Sequence, residues 1–307
     1  MKVLVLSEHD VHELLTMREC IAVMEEALAA LGRGEVHNPL RQVIRASGAS
    51  GFLGLMPAWR GGATPFYALK EVCVFPQNPK RGLDTHLGAV VLHSGETGEP
   101  LAFVNAAAVT AIRTAAVSAV ATKLLAREDA SILAIIGTGA QGKSHREAIP
   151  LVRNIAEVRM CGRGDSVEEA VRGADIIVTA TSSREPIVKR EWISPGTHIN
   201  AVGSSIAAAR ELDGATVAAA SLFVDRREST VNESGDYLFA LKEGAIGGPE
   251  HIRAEIGEIL TGSADGRKSE SEITLFKSLG LAIEDLASAA FLYEKARMGG
   301  GGKWVDF

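Results

Sequence analysis

The chain has 307 residues, with 32 Lys+Arg against 38 Asp+Glu, a formal net charge of −6, 46% hydrophobic and 5% aromatic residues. That length accommodates two cores, and an acidic chain without basic runs lacks the electrostatic footprint of a nucleic-acid binder. The longest apolar runs, such as Ala215 to Val224, are broken by Thr or Ser and fall short of the roughly 18 residues a membrane span needs, so none is expected.

The opening MKVLVLSEHD turns polar too soon for a secretory signal core, which points to the cytoplasm. Ser7 with Asp10, then Thr16 with Glu19, are capping-box patterns that start two helices, the second ending at Gly32. Short extended runs follow at Gln42 to Arg45, Phe52 to Met56, Phe66 to Phe75 and Ala89 to His93. The segment SGETGEP reads as a hairpin turn between Val90-Val91-Leu92 and Leu101 to Val104, giving an antiparallel sheet. Asn105 to Glu128 is Ala-rich with an apolar stripe and reads as a long helix joining two domains.

From Ser131 the rhythm changes: strands at Ser131 to Ile136, Val158 to Cys161, Ile176 to Thr179, His198 to Val202 and Leu222 to Val224 alternate with helical segments. This is the pattern of a parallel sheet wound with helices. A last periodic helix begins at Ala282 and runs into the glycines 299 to 302, expected to be a mobile tail. Cys20, Cys73 and Cys161 lie outside any CxxC spacing and read as small core residues.

Within ILAIIGTGAQGKSH, Gly137, Gly139 and Gly142 have GxGxxG spacing directly after a strand and at the start of a helix. The first glycine permits the tight turn, the second lets a pyrophosphate approach the backbone, and the third lets the helix close on the strand. A dinucleotide site follows. The next strand, EVRMCGR, ends in Gly162 and Arg163, with Glu157 at its beginning and pointing away. An arginine there accommodates a 2′-phosphate, so the reading favours NADP(H) over NAD(H).

Several blocks together resemble the ornithine cyclodeaminase and mu-crystallin family: LKEVCVFPQNPKRGLDTHLG, TAIRTAAVSAVATKLLA, IIGTGAQ, GADIIVTATSS, INAVGSSIAAARELD and TLFKSLGLAIEDLASAA. The resemblance implies an α/β fold in which residues 116–281 form a Rossmann-type doubly wound parallel sheet. Residues 1–115, with a C-terminal helix over about 282–307, would form a smaller α+β substrate and dimerisation domain. It implies a homodimer paired through that domain's sheet. Arg41, Lys70 and Arg113 map onto the family's substrate-side cations; Lys70 and Arg113, together with Ser205, would be catalytic, with Lys70 supplying or positioning the proton on nitrogen. Such cations suit an α-carboxylate, which needs fixed donors to orient the reacting carbon. Without that context Arg113 reads as a helix-surface residue and Arg41 as a strand-edge charge, while a lone buried Lys70 would be costly.

On the cofactor side the resemblance implies Thr85, Arg113, Ala140 and Gln141 beside the glycines and Arg163, then Thr181, Val202 and Ser205, and finally Lys277 and Ser278. Three departures matter. Ser205 stands where cyclodeaminases and related alanine dehydrogenases carry an Asp acting on the amine, Lys277 where cyclodeaminases have Asp, and Gly54 where ornithine enzymes have Glu. With the amine-directed carboxylates missing, the expectation is NAD(P)H-dependent reduction of a small α-imino acid, such as pyrroline-2-carboxylate or piperideine-2-carboxylate. The rivals are an ornithine cyclodeaminase or alanine-type dehydrogenase, and a non-catalytic small-ligand binder.

The family places a helix and a strand between Arg163 and Ser166, where this chain passes directly to SVEEAVRGA. Either the second βα unit is cut short or residues are missing. His9 and His12 lack a third ligand and read as an exposed helix face, and no metal is expected. His86, beside Thr85, is the one histidine near the expected chemistry. Glu284 and Asp285 are adjacent on a helix and point about 100° apart, so one of them is expected to cap or pair within the fold.

Overall fold

The computed structural model describes residues 1–307 and contains two compact units, Met1–Arg113 with Leu281–Phe307, and Thr114–Gly280. The chain opens with β1 (Lys2–Leu6), α1 (Glu8–Leu14) and α2 (Met17–Gly32). Ser7 and Thr16 close reciprocal capping boxes with Asp10 and Glu19, satisfying amide donors that a helix start leaves orphaned. Next come β2 (Val36–His37), β3 (Gln42–Ile44), β4 (Phe52–Arg60), β5 (Phe66–Val74), β6 (His86–Ser94), β7 (Pro100–Asn105) and α3 (Ala106–Leu125).

The second unit continues with β8 (Ile132–Ile136), α4 (Ala140–Ala148), β9 (Glu157–Cys161), α5 (Val167–Val171), β10 (Ile176–Thr179) and β11 (His198–Ala201). It is completed by α6 (Gly214–Ala219), β12 (Ser221–Val224), α7 (Arg227–Glu233), α8 (Gly235–Lys242), β13 (Ile252–Glu255), α9 (Ile256–Leu260) and β14 (Thr274–Lys277). The chain ends with α10 (Ala282–Gly299) and β15 (Lys303–Asp306).

In the first unit the sheet order is β15-β1-β7-β6-β5-β4-β2, with β3 also paired to β4. β4 to β7 are antiparallel, whereas β1 joins β7 in parallel. Because side chains alternate along a strand, one face collects Met56, Ala58, Ala68, Lys70, Val90 and Leu92, all buried, and α10 packs along β4, β5 and β6. The other face carries Tyr67 and Leu87, 51% and 41% exposed. Cys73 belongs to that face and is exposed, which corrects its expected place in the core: a residue an even number of places from Tyr67 along β5 shares its face.

The C-terminus also differs from expectation. The helix does not reach residue 307: it stops at Gly299, and Gly300, Gly301 and Gly302 all take positive φ. Three glycines can adopt that left-handed backbone without steric cost, so the chain reverses and Lys303–Asp306 pair antiparallel with β1. The glycine tail is a connector rather than a loose end.

In the second unit seven strands form a parallel sheet ordered β13-β12-β14-β11-β10-β8-β9. Ile136, Ile177, Ile199, Leu222 and Leu275 fill its core, as strands covered on both faces require. The chain steps outward from β8 to β9 and then returns past β8 to β10. A doubly wound order would place a further strand outside β9; here β9 is the edge, and the turn at 162–165 leads straight into α5. α3 is long and apolar enough to cross a membrane, yet most of it is buried inside the protein, as befits a core helix.

Candidate active site and dinucleotide turn

The three glycines of the turn after β8 do different work. Gly137 has φ of 120°, and a Cβ there would come within 2.4 Å of the Ala180 carbonyl oxygen. A Cβ on Gly142 would lie 2.0 Å from the Gly137 carbonyl oxygen, so α4 closes on the turn only because that atom is missing. Packing demands both residues. Gly139 differs: nothing lies within 4 Å of its Cβ position, and as N-cap of α4 it offers no capping side chain. An open cradle before a helix start whose amides lack a side-chain cap is what an anionic pyrophosphate requires, so the residues present fit a dinucleotide.

Ala140 and Gln141 open α4. Behind them His145 is buried, with Nδ1 2.7 Å from the Gln141 carbonyl oxygen and Nε2 2.9 Å from Ser118 Oγ. Burial pushes this imidazole down to about 4, so a neutral histidine ties α4 to α3.

Thr179, Thr181 and Gly203 lie at the ends of β10 and β11, where ligands of open α/β sheets bind. A buried carboxylate that the sequence did not flag, Glu211, organises them: it accepts from Thr179 Oγ1 at 2.8 Å and from the Thr181 amide and Oγ1 at 2.6 and 2.7 Å. Burial raises its pKa, with Lys277 opposing and Asp236 reinforcing the shift. Lys277 is itself buried, donating to the Gly203 carbonyl at 2.9 Å and pairing with Asp236 at 2.8 Å. The Ser278 amide bonds the Ala201 carbonyl, the Val202 amide bonds that of Thr179, and both residues are buried. Ser204, at φ 51°, is the one non-glycine residue with positive φ, and Ser205 follows it, half-buried. Arg163 is exposed in the turn after β9.

In the first unit the register of β5 turns Lys70 toward α10, and its ammonium sits 2.8 Å from Asp285 Oδ2 and 3.4 Å from Thr110 Oγ1. Arg113, from α3, donates through Nε to Asp285 at 3.1 Å and through Nη1 to Glu284 at 2.6 Å. All four charged side chains are at most 5% exposed. Burial lowers Lys70 to about 8, and Arg113 and Arg41 push the same way against Asp285. Burial alone would raise Asp285, but Arg113 and Lys70 outweigh it and hold the carboxyl below its ordinary range.

Arg41 is half-buried before β3, and Thr85 is half-buried before β6. The structure thus brings Lys70, Arg113 and the electrostatic influence of Arg41 together. Glu284 and Asp285 do point different ways, yet the guanidinium of Arg113 spans both, so each is paired. The available signal was an acidic pair set inside the apolar run LGLAIEDLASAA.

A parallel sheet with a phosphate-ready glycine turn, together with a buried lysine and arginine, defines a nicotinamide-dinucleotide-dependent oxidoreductase. The family model described as ornithine cyclodeaminase/mu-crystallin family matches residues 1–166 and 163–300, and this chain belongs to that family. It is 37% identical over 327 aligned positions to a delta(1)-pyrroline-2-carboxylate reductase of Bacillus cereus, covering 99% of this chain and 100% of the relative. Among solved structures it is similar to Thermococcus litoralis delta(1)-pyrroline-2-carboxylate reductase in complex with NADH and L-proline (TM-score 0.93, 40% identity, covering 98% of this chain and 99% of that one). An archaeal alanine dehydrogenase dimer with bound NAD is equally similar in fold (TM-score 0.93, 35% identity, all of both chains).

Proposed function

We propose that this chain reduces a small α-imino acid, a cyclic ketimine such as pyrroline-2-carboxylate or piperideine-2-carboxylate, to the amino acid. The observation that carries the reading is the buried cluster Lys70, Asp285, Arg113 and Glu284, in which a lysine is lowered to about 8. A bound nicotinamide supplies hydride to the imine carbon. Arg41 and Arg113 orient the substrate carboxylate, and Lys70 gives its proton to the imine nitrogen, an acid whose pKa is well matched to neutral pH. Asp285 holds the Lys70 ammonium in place. The NADH and NAD bound by the two similar structures favour NAD(H) over the NADP(H) read from Arg163.

Gly54 carries no carboxylate for a distal ammonium, and Ser205 is far weaker as a base than an aspartate. Ornithine is therefore not the substrate in this reading. The test is nicotinamide oxidation with a panel of cyclic and acyclic imino acids, alongside ornithine with NAD. Ketimine turnover is expected; proline formed from ornithine would restore the cyclodeaminase, and binding of imino acids without turnover would leave a ligand-binding protein.

A homodimer is proposed through the exposed face of the first unit's sheet, on which Tyr67 and Leu87 leave apolar surface uncovered. Light scattering that gives a monomer at micromolar concentration would remove it.

A further inference from the structure

We propose that Asp165 receives the adenosine ribose of the dinucleotide and so selects NAD(H) against NADP(H), an inference that rests on the dinucleotide reading of the Gly137 turn. In a doubly wound domain the residue at the end of the second strand carries the acid for the ribose 2′-hydroxyl. That residue here is Gly162, directly after β9, and it has no side chain. The missing carboxylate returns from three residues further on.

Asp165 Oδ2 accepts from the Gly162 amide at 2.7 Å, and a Cβ built on Gly162 would lie 3.5 Å from that same oxygen and 3.3 Å from Thr138 Cγ2 of the glycine turn. The carboxylate therefore borders the space that a side chain of residue 162 would enter, beside the glycine turn. The Gly137 amide bonds the Cys161 carbonyl at 2.9 Å, so the two loops are tied together at that point.

The shortened connection makes this arrangement possible. Gly164, at φ 99°, reverses the chain, and Ser166 rather than Asp165 caps α5 by accepting from the Glu169 amide at 3.2 Å. Asp165 is thus not engaged as a helix cap, and apart from the Gly162 amide no hydrogen bond or ion pair holds its carboxylate. The match to the family model breaks at residues 163–166, in this turn.

Arg163 competes from the same turn; both side chains are exposed, but only the aspartate is held by a hydrogen bond to the main chain. Gripping a 2′-phosphate would require that long side chain to lose its rotamer freedom, whereas the aspartate is already fixed by the main chain. A 2′-phosphate would also meet the fixed negative charge of Asp165.

Binding of NADH and NADPH, followed by nicotinamide fluorescence, tests the assignment on wild-type protein, Asp165→Asn and Asp165→Ala. Asparagine keeps an acceptor for the Gly162 amide and removes only the charge, and thermal melting checks that each variant is folded. The expected result is tighter binding of NADH by the wild type, with Asp165→Asn weakening NADH about tenfold and drawing the two affinities together. Wild-type preference for NADPH, or an NADH-to-NADPH ratio that Asp165→Asn leaves unchanged, overturns the role of Asp165 while the dinucleotide reading stands. A wild type that binds neither cofactor overturns both.

Discussion

The two units each bury a lysine against an aspartate at 2.8 Å, Lys70 with Asp285 and Lys277 with Asp236, and the surroundings set them apart. Lys277 also donates to the Gly203 carbonyl, while Asp236 Oδ1 accepts from the Glu211 and Leu212 amides, so the pair clips β14 to the loop after β11 and to α8. Nearly every group is engaged with the main chain. Lys70 instead shares its aspartate with Arg113 and lies within the influence of Arg41; burial, with those two cations adding to it against Asp285, brings its pKa down to about 8. A buried ion pair is therefore no indication of function by itself; a buried lysine brought close to neutrality within such a cluster marks a candidate for chemistry.

Replacement of the two lysines breaks the comparison most directly. Lys70→Ala is expected to lower turnover by a factor on the order of 10³, the usual range for loss of a general acid, while cofactor affinity stays near wild type. Lys277→Ala should act on folding, costing about 3–5 kcal/mol by stranding Asp236 in the interior, as read by denaturant unfolding. If Lys277→Ala folds normally but loses turnover, its ammonium does more than clip the loop.

pH sharpens the contrast. In the proposed mechanism imine reduction uses the protonated form of Lys70, so kcat/KM is expected to fall as pH rises through about 8, whereas oxidation of the product amino acid, which uses the free amine, should rise over the same range. A profile flat across that range, or one that shifts in Lys277 variants as much as in Asp285→Asn, would contradict the assignment of the proton to Lys70. The smallest expected effect is that of Ser205→Ala, a loss of about 0.5–1.5 kcal/mol for one hydrogen bond, measured as a few-fold drop in kcat. A collapse of activity would make Ser205 part of the proton path.

Local order was legible because its causes are short-ranged. Capping boxes at Ser7 and Thr16 span three residues, the hairpin of β6 and β7 joins neighbours, and GxGxxG after an apolar strand announces its own turn. The strands β13 and β14 and helices α6 to α9 carried no comparable signal, being four to eight residues long and recognisable chiefly by what they pack against.

What the sequence by itself determined about this protein was its parallel and antiparallel halves and its glycine turn, since each follows from residue type and near-neighbour spacing. Only the tertiary structure decided which charges meet. Arg113 and Glu284 stand 171 residues apart, and Lys70 finds Asp285 because α10 returns from the far end of the chain to cover β5. The C-terminal strand needs β1 as its partner, and Asp165 reaches the Gly162 amide only because a glycine reversal folds the carboxylate back onto the strand end. In each case a side chain's partner is set by backbone paths that pattern and propensity do not encode, because burial forces charged groups to pair with whatever the fold brings within reach.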